Sequence, residues 1–132
     1  VSSVRYLSPE WIAAIAARVA DNETLRGLAA QHSVALTQVV TDTPHGDVTY
    51  HLAVRDGVVT FDSGAAPDED VRFTESWDTA VAVSTGTLHA QEAFINGAIR
   101  FAGNHQRLID AGDVFAALNP VFEEVRAAVE YR

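Results

Sequence analysis

The side chains able to do chemistry in this chain include five histidines and no cysteine. Asp47, Thr49 and His51 alternate along one segment, with His45 just before them, so on a strand they share a face and offer nitrogen and oxygen ligands to a metal. That spacing matches neither a zinc helix nor a zinc ribbon, and a solvated strand face explains it better. Asp68-Glu69-Asp70 lacks the alternating ligands and the glycine of a calcium loop, and reads as a solvated turn. Ser63, Ser76 and Ser84 have no recognisable base partner. No Gly-x-Ser-x-Gly elbow, Walker loop or Gly-x-Gly-x-x-Gly turn is present. His51, His89 and His105 are the candidates for a titratable group inside a pocket, and His89, opening a short helix, could hydrogen-bond a polar ligand head. Without cysteine there is no disulfide, thiolate metal site or thiol nucleophile. The expectation is a protein with no catalytic residues, no metal and no cofactor.

Stepping along the chain, Ser8-Pro9-Glu10 opens the first helix. A serine can accept from an orphan N–H, proline fits the first helical position, and an acid suits the positive end of the dipole. Trp11, Ile12, Ile15 and Val19 then follow a helical period to about Asp21-Asn22, and a shorter helix is expected over Glu23–Gln31. From Val34 the period becomes two, predicting strands at about Val34–Thr41, Asp47–Arg55, Val58–Phe61 and Val71–Glu75. Asp56-Gly57 between two apolar runs marks a type I′ hairpin turn, and Thr43-Pro44-His45-Gly46 another turn. The mixed second face of the second strand is expected to make the sheet half solvated, which favours antiparallel pairing. Ser76 is expected to cap a helix over Trp77–Val83, broken at Gly86, and a short helix over His89–Asn96 to end in a left-handed Gly97. A strand over Ala98–Ala102 precedes a helix from about Asn104 to Ala111, which stops at Gly112. The last helix, capped by Asp113, carries Phe115, Leu118, Phe122, Val125 and Val129 on one stripe, and Pro120 is expected to bend or split it after Leu118.

A chain of 132 residues suits one domain spanning residues 1–132 with a core that needs no staples. The formal net charge of −9, from 18 acidic and 9 basic residues, repels nucleic-acid phosphates and anionic headgroups. No apolar run approaches the roughly 18 residues of a membrane span, and Val1–Tyr6 lacks the layout of a signal peptide. The expected partners therefore exclude nucleic acid and stable membrane insertion. Lack of cysteine suits a reducing compartment, so a cytoplasmic location is expected. The apolar stripe of the last helix would serve a dimer as well as a core, which leaves the oligomeric state open.

The segment DVRFTESWDTAVAVSTGTLHAQEAFINGAIRFAGNHQRL, from Asp70 to Leu108, resembles the signature half of the sterol carrier protein-2 family. The matching pieces are Asp70-Val71, Ser76-Trp77, Gly86-Thr87-Leu88, Gln91-Glu92-Ala93-Phe94, Gly97, and Ile99 to Gly103, and their order and spacing carry the likeness together. With the upstream hairpin at Asp56-Gly57, the resemblance covers about Val34 to Leu118, and it suggests a bacterial-type, stand-alone member. It implies an α+β fold: a mainly antiparallel sheet of about five strands covered by helices, with an apolar tunnel between the sheet and the C-terminal helices. It also implies non-catalytic binding or transfer of a lipid or hydrophobic metabolite such as a sterol, fatty acid or acyl chain. The chain departs from the eukaryotic carriers in its acidity. Its tail, Val129-Glu130-Tyr131-Arg132, also differs from the Ser-Lys-Leu type of peroxisomal address.

On that resemblance the tunnel is expected along Phe94, Ile95, Ile99, Phe101, Leu108, Phe115, Leu118 and Phe122, with Trp77 at its gate or covering the sheet edge. Aromatic residues at these spacings also build plain cores. Each buried methylene of a ligand would gain about 0.8 kcal/mol, so a preformed dry slot suffices for binding. Two other readings use the same scaffold: a small enzyme or accessory subunit acting on a hydrophobic substrate in the cavity, and a closed fold that serves only as an interaction module.

Overall fold

The computed structural model describes residues 3–131, the side chain of Ala90 excepted; Val1, Ser2 and Arg132, the ends of the leader and tail segments considered above, lie outside the described residues. A two-residue strand β1 (Val4–Arg5) leads into helix α1 (Pro9–Ala20). Ser8 caps that helix, its hydroxyl oxygen accepting from Trp11 N–H at 3.1 Å, with Pro9 in the first turn, as the sequence predicts. Trp11, Ile12, Ile15 and Val19 are buried along one stripe, which turns a local period into a core face. Helix α2 (Glu23–Ala29) follows, capped by Asn22.

Strands β2 (Val34–Thr41), β3 (Val48–Arg55) and β4 (Val58–Ser63) form an antiparallel meander. Its second turn has positive φ at both Asp56 and Gly57, the condition a type I′ hairpin imposes. Strand β5 (Val71–Ser76) continues the sheet on the far side of β2, and β6 (Ile99–Gly103) closes it, giving the order β4-β3-β2-β5-β6. Three of the four pairings are antiparallel, but β2 and β5 run parallel, so this α+β sheet is mixed.

The segment between β4 and β5 explains the parallel pair. It lies against the second face of the sheet: Ala66 N–H donates to Thr37 Oγ1 at 3.0 Å, Thr37 donates to Glu69 at 2.8 Å, and Ala35 N–H donates to Asp70 Oδ2 at 2.8 Å. Ala35 and Thr37 are consequently fully buried. The expectation of a half-solvated second face fails at β2, where this connection takes the place of water and delivers β5 in the parallel sense. His51 also lies on that face, buried, with its Nδ1 3.0 Å from the Gly64 carbonyl.

Helices α3 (Trp77–Ser84) and α4 (Ala90–Ile95) follow β5, and α5 (His105–Asp110) and α6 (Gly112–Arg126) follow β6. Ser76 caps α3 and Asn104 caps α5, each oxygen accepting from the backbone N–H three residues on. Two expectations for the last helix are corrected. Asp113 is not its cap: Ala111 alone separates α5 from α6, and Gly112 opens the helix instead of stopping the previous one. Of the bend or split expected at Pro120, the split does not occur, since α6 runs unbroken through it. Pro120 and Ala116, whose carbonyl loses its partner four residues on, are both exposed, so solvent can take that hydrogen bond. The buried stripe of α6 is Val114, Leu118, Val121 and Val125, with Phe115 and Phe122 at its margins. Val129 lies in β7 (Val129–Glu130), which pairs in parallel with β1.

Helices α1 and α2 pack against β4, and α6 packs outside them. The principal core therefore sits over the β2-β3-β4 half of the sheet, joining Ile15, Val19 and Leu25 to Val40, Leu52, Val54 and Phe61 and then to Val114, Leu118 and Val125. Among the described residues no helix is long and apolar enough to cross a membrane.

Candidate functional site

The sheet presents one apolar face to the helices, and the register fixes its members. Across β2, β5 and β6 it stacks three rungs: Leu36–Val71–Gly103, Gln38–Phe73–Phe101 and Val40–Glu75–Ile99. The same face continues into β3 and β4 through Leu52 and Phe61, which the α1–α6 stack closes over. Over β5 and β6 the cover is thinner. Short α4 packs on β6, and α3 and α5 touch β5. Leu36, Phe73, Ile99 and Phe101 remain half-buried and stand outside the principal core.

An aromatic cluster marks this open half. The Phe73 and Phe101 rings lie 5.7 Å apart, Phe94 meets Phe101 at 6.2 Å, and His105 stacks on Phe101 at 4.6 Å. A second, closed cluster occupies the other half: Phe122 stacks on Trp11 at 6.1 Å, and Phe61 lies 6.3 Å from Phe122. Tyr6 lies 5.6 Å from Trp77. The residues expected to line one tunnel thus divide into two groups. Phe94, Ile99 and Phe101 belong to the half-open side, where Phe94 is 38% exposed and Ile95, beyond it on α4, is 78% exposed. Leu108 is half-buried on α5. Leu118 is buried in the principal core, and Phe115, Phe122 and Trp77 pack against that core. Trp77 packs against the core beside Tyr6.

Gln38, Phe73 and Glu75 were not singled out from the sequence, although Val71, Phe73 and Glu75 alternate on one strand face. An acid ending an apolar alternation was the available signal. Gln38 Nε2 donates to Glu75 Oε1 at 2.7 Å, while Glu75 Oε2 is buried with no hydrogen-bond partner among the described residues. Burial pushes the Glu75 carboxyl up to about 7. Its neighbours feel the same environment. Burial, then the Glu75 charge, raise the Tyr6 hydroxyl; burial, then Tyr6 and Glu75, raise that of Tyr50.

The histidines do not converge. His51 lies on the opposite sheet face, His89 is exposed at the start of α4 without a side-chain cap bond, and His105 is exposed above Phe101. Among the described residues no group of three or more His, Cys, Asp or Glu side chains could hold a metal ion. Two surface depressions, of about 460 and 320 Å³, lie away from the aromatic cluster: one by Ala29–Ser33 and Asp56-Gly57, the other by Gln31–Ser33, Arg107 and Asp110. Their linings are mixed in polarity and neither continues the apolar face.

This five-stranded mixed sheet with its covering helices has the fold of solved sterol carrier protein 2 structures. It matches a Thermus thermophilus protein described as possibly a sterol carrier protein, with a TM-score of 0.66 and 17% identity over 98% of this chain and 94% of that one. Sterol carrier protein 2 from Yarrowia lipolytica, in its apo form, matches with a TM-score of 0.62 and 15% identity over 88% and 89% of the two chains. Palmitated SCP2L2 from Aedes aegypti matches at 0.55, with 18% identity over 78% of this chain and 92% of that one. By sequence, the chain matches no protein-family model and no curated protein significantly.

Proposed function

We propose that the chain binds a single-chain lipid or comparable hydrophobic metabolite, without chemical conversion, in the groove floored by Leu36, Phe73, Ile99 and Phe101. Phe94 and Ile95 stand at its rim and Leu108 at its α5 wall; Trp77, Phe115, Leu118 and Phe122 belong to the packed core beside it. The observation that carries this reading is the half-buried pair Phe73–Phe101 on the sheet, with the exposed Phe94 of α4 against it, beside a half of the sheet that is packed under α1 and α6. Such a surface gains by acquiring an apolar cover. The palmitated state of the Aedes aegypti protein with this fold supports an acyl chain as one suitable cover.

The energetics are sufficient. Sixteen buried methylenes offer roughly 13 kcal/mol gross. Loss of ligand freedom removes at least ~4 kcal/mol, which leaves room for micromolar or tighter binding. Native mass spectrometry of the protein as purified from cells, with extraction of bound material, tests the proposal directly. The expected result is a co-purifying lipid, or uptake of a fluorescent fatty acid or fatty alcohol by the empty protein. Failure of both would overturn it and favour the interaction-module reading.

A further inference from the structure

Glu75 places an acid in a row that is otherwise apolar. It sits one rung beyond the Phe73–Phe101 pair, directly opposite Ile99 on β6 and Val40 on β2. The groups around it are Gln38 on β2, Tyr50 on β3 and Tyr6 ahead of α1. Gln38 satisfies one carboxyl oxygen, and the other is buried with no hydrogen-bond partner among the described residues. Burial is what raises its protonation range, with no arginine among the causes. The ion-paired arginines are engaged elsewhere: Arg18 with Glu124, Arg55 with Asp70 and Arg72 with Glu69.

An unsatisfied buried acceptor beside an apolar surface is the complement of a ligand with a long apolar body and a donating head. We propose that Glu75, oriented by Gln38, is the head-group site of this groove and accepts a hydrogen bond from the hydroxyl of a neutral lipid alcohol. The proposal rests on the groove reading above and adds a ligand class to it. A hydroxyl donates to Oε2 and completes the hydrogen bonding of the pair. A fatty-acid carboxylate brings a second negative charge against the first, with no ion pair to Glu75 among the described residues to separate them, so it is disfavoured wherever Glu75 is ionised. Selection comes as much from this repulsion as from the new hydrogen bond.

The test compares dodecan-1-ol with dodecanoate as competitors of a neutral fluorescent probe, at pH 8 and pH 5.5, with the wild-type chain and Glu75→Gln. At pH 8 the alcohol should bind the wild type at least about tenfold more tightly than the carboxylate. Glu75→Gln should shrink that ratio to within about threefold, mainly by strengthening dodecanoate. Lowering the pH should shrink the ratio in the wild type more than in the variant, because the variant has no charge at this position to lose. Thermal unfolding of the variant confirms that the fold is kept. Equal affinity of the two ligands at pH 8, or a ratio unchanged in Glu75→Gln, overturns the head-group assignment while leaving the groove in place. If neither ligand nor probe binds the wild type, the groove itself is overturned and the assignment with it.

Discussion

Phe101 lies directly opposite Phe73 in the antiparallel β5–β6 pair, with ring centroids 5.7 Å apart, and both rings are only half-buried. Cross-strand aromatic pairs of this kind normally contribute to a sealed core. Here the pair borders solvent because the long helices α1 and α6 lie over the other half of the sheet. Replacing Phe101 should therefore weaken ligand binding more than folding. Phe101→Ala is expected to lower affinity for a fluorescent acyl probe at least about tenfold while costing only about 1 kcal/mol in urea unfolding. A stability loss with unchanged probe affinity would place the ligand elsewhere.

Phe122 should behave in the opposite way. Its ring stacks on Trp11 and meets Phe61, and it packs against the buried core. Phe122→Ala should cost roughly 2–3 kcal/mol of stability, somewhat below the usual range because the residue is not fully buried. Its effect on probe affinity, measured where both proteins are folded, should be the smaller one. Comparing the two phenylalanines by denaturation and by probe titration separates core from groove.

These two residues show what could be read from the sequence. Element types followed from period, caps and turns: Ser8, Ser76 and Asp56-Gly57 each act where local chemistry places them. The partition of aromatic residues between core and groove did not follow, because Phe101 and Phe122 look alike along the chain. Only the register and the position of α1 distinguish them. The parallel β2–β5 pair was hidden for a similar reason, since it depends on where the connection between β4 and β5 lies. Glu75 is not legible as a site along the chain, because the rung it shares with Ile99 is set by the β5–β6 register.

Gly103 is required by a close approach. Its φ is +118°, and a Cβ there would collide with the Asp70 carbonyl, next to the site where Asn104 N–H donates to that same oxygen at 2.8 Å. Gly103→Ala combines an unfavourable backbone conformation with a clash against the adjoining strand, so at least about 2 kcal/mol should be lost. Denaturant midpoints measure it, and a loss below about 0.5 kcal/mol would mean that β6 can shift at little cost.

The Ser8 cap has a separate and smaller effect. Its hydroxyl is buried and accepts from Trp11 N–H, so removing it leaves a donor without its partner at the start of the helix that closes the core. Ser8→Ala should cost about 1 kcal/mol, and Ser8→Asp should restore part of it by accepting from the same N–H group. Thermal unfolding of the three proteins under one buffer condition gives the comparison.

Stability should fall as pH rises through neutrality on account of Glu75. Burial raises its carboxyl from an ordinary 4.5 to about 7 in the folded chain, so the native state holds that proton more tightly than the unfolded state. The stabilisation is therefore complete below about pH 4.5 and is lost progressively up to and through pH 7. A shift of this size corresponds to about 3 kcal/mol over the whole window and about 2 kcal/mol between pH 5 and pH 8. Glu69 works in the other direction: its hydrogen bonds from Arg72 foremost, with help from Thr37, hold its carboxyl low, so its contribution is lost as pH falls. The raw pH profile mixes the two, and the difference between the wild type and Glu75→Gln isolates the first. Glutamine keeps an oxygen to accept from Gln38 and carries no charge, so the variant should gain on the wild type by about 2 kcal/mol between pH 5 and pH 8. Urea unfolding at the two pH values measures that gain. A difference that does not change with pH would mean that Glu75 ionises in the folded protein as it does in water, and the case for it as a discriminating head-group site would lose its electrostatic half.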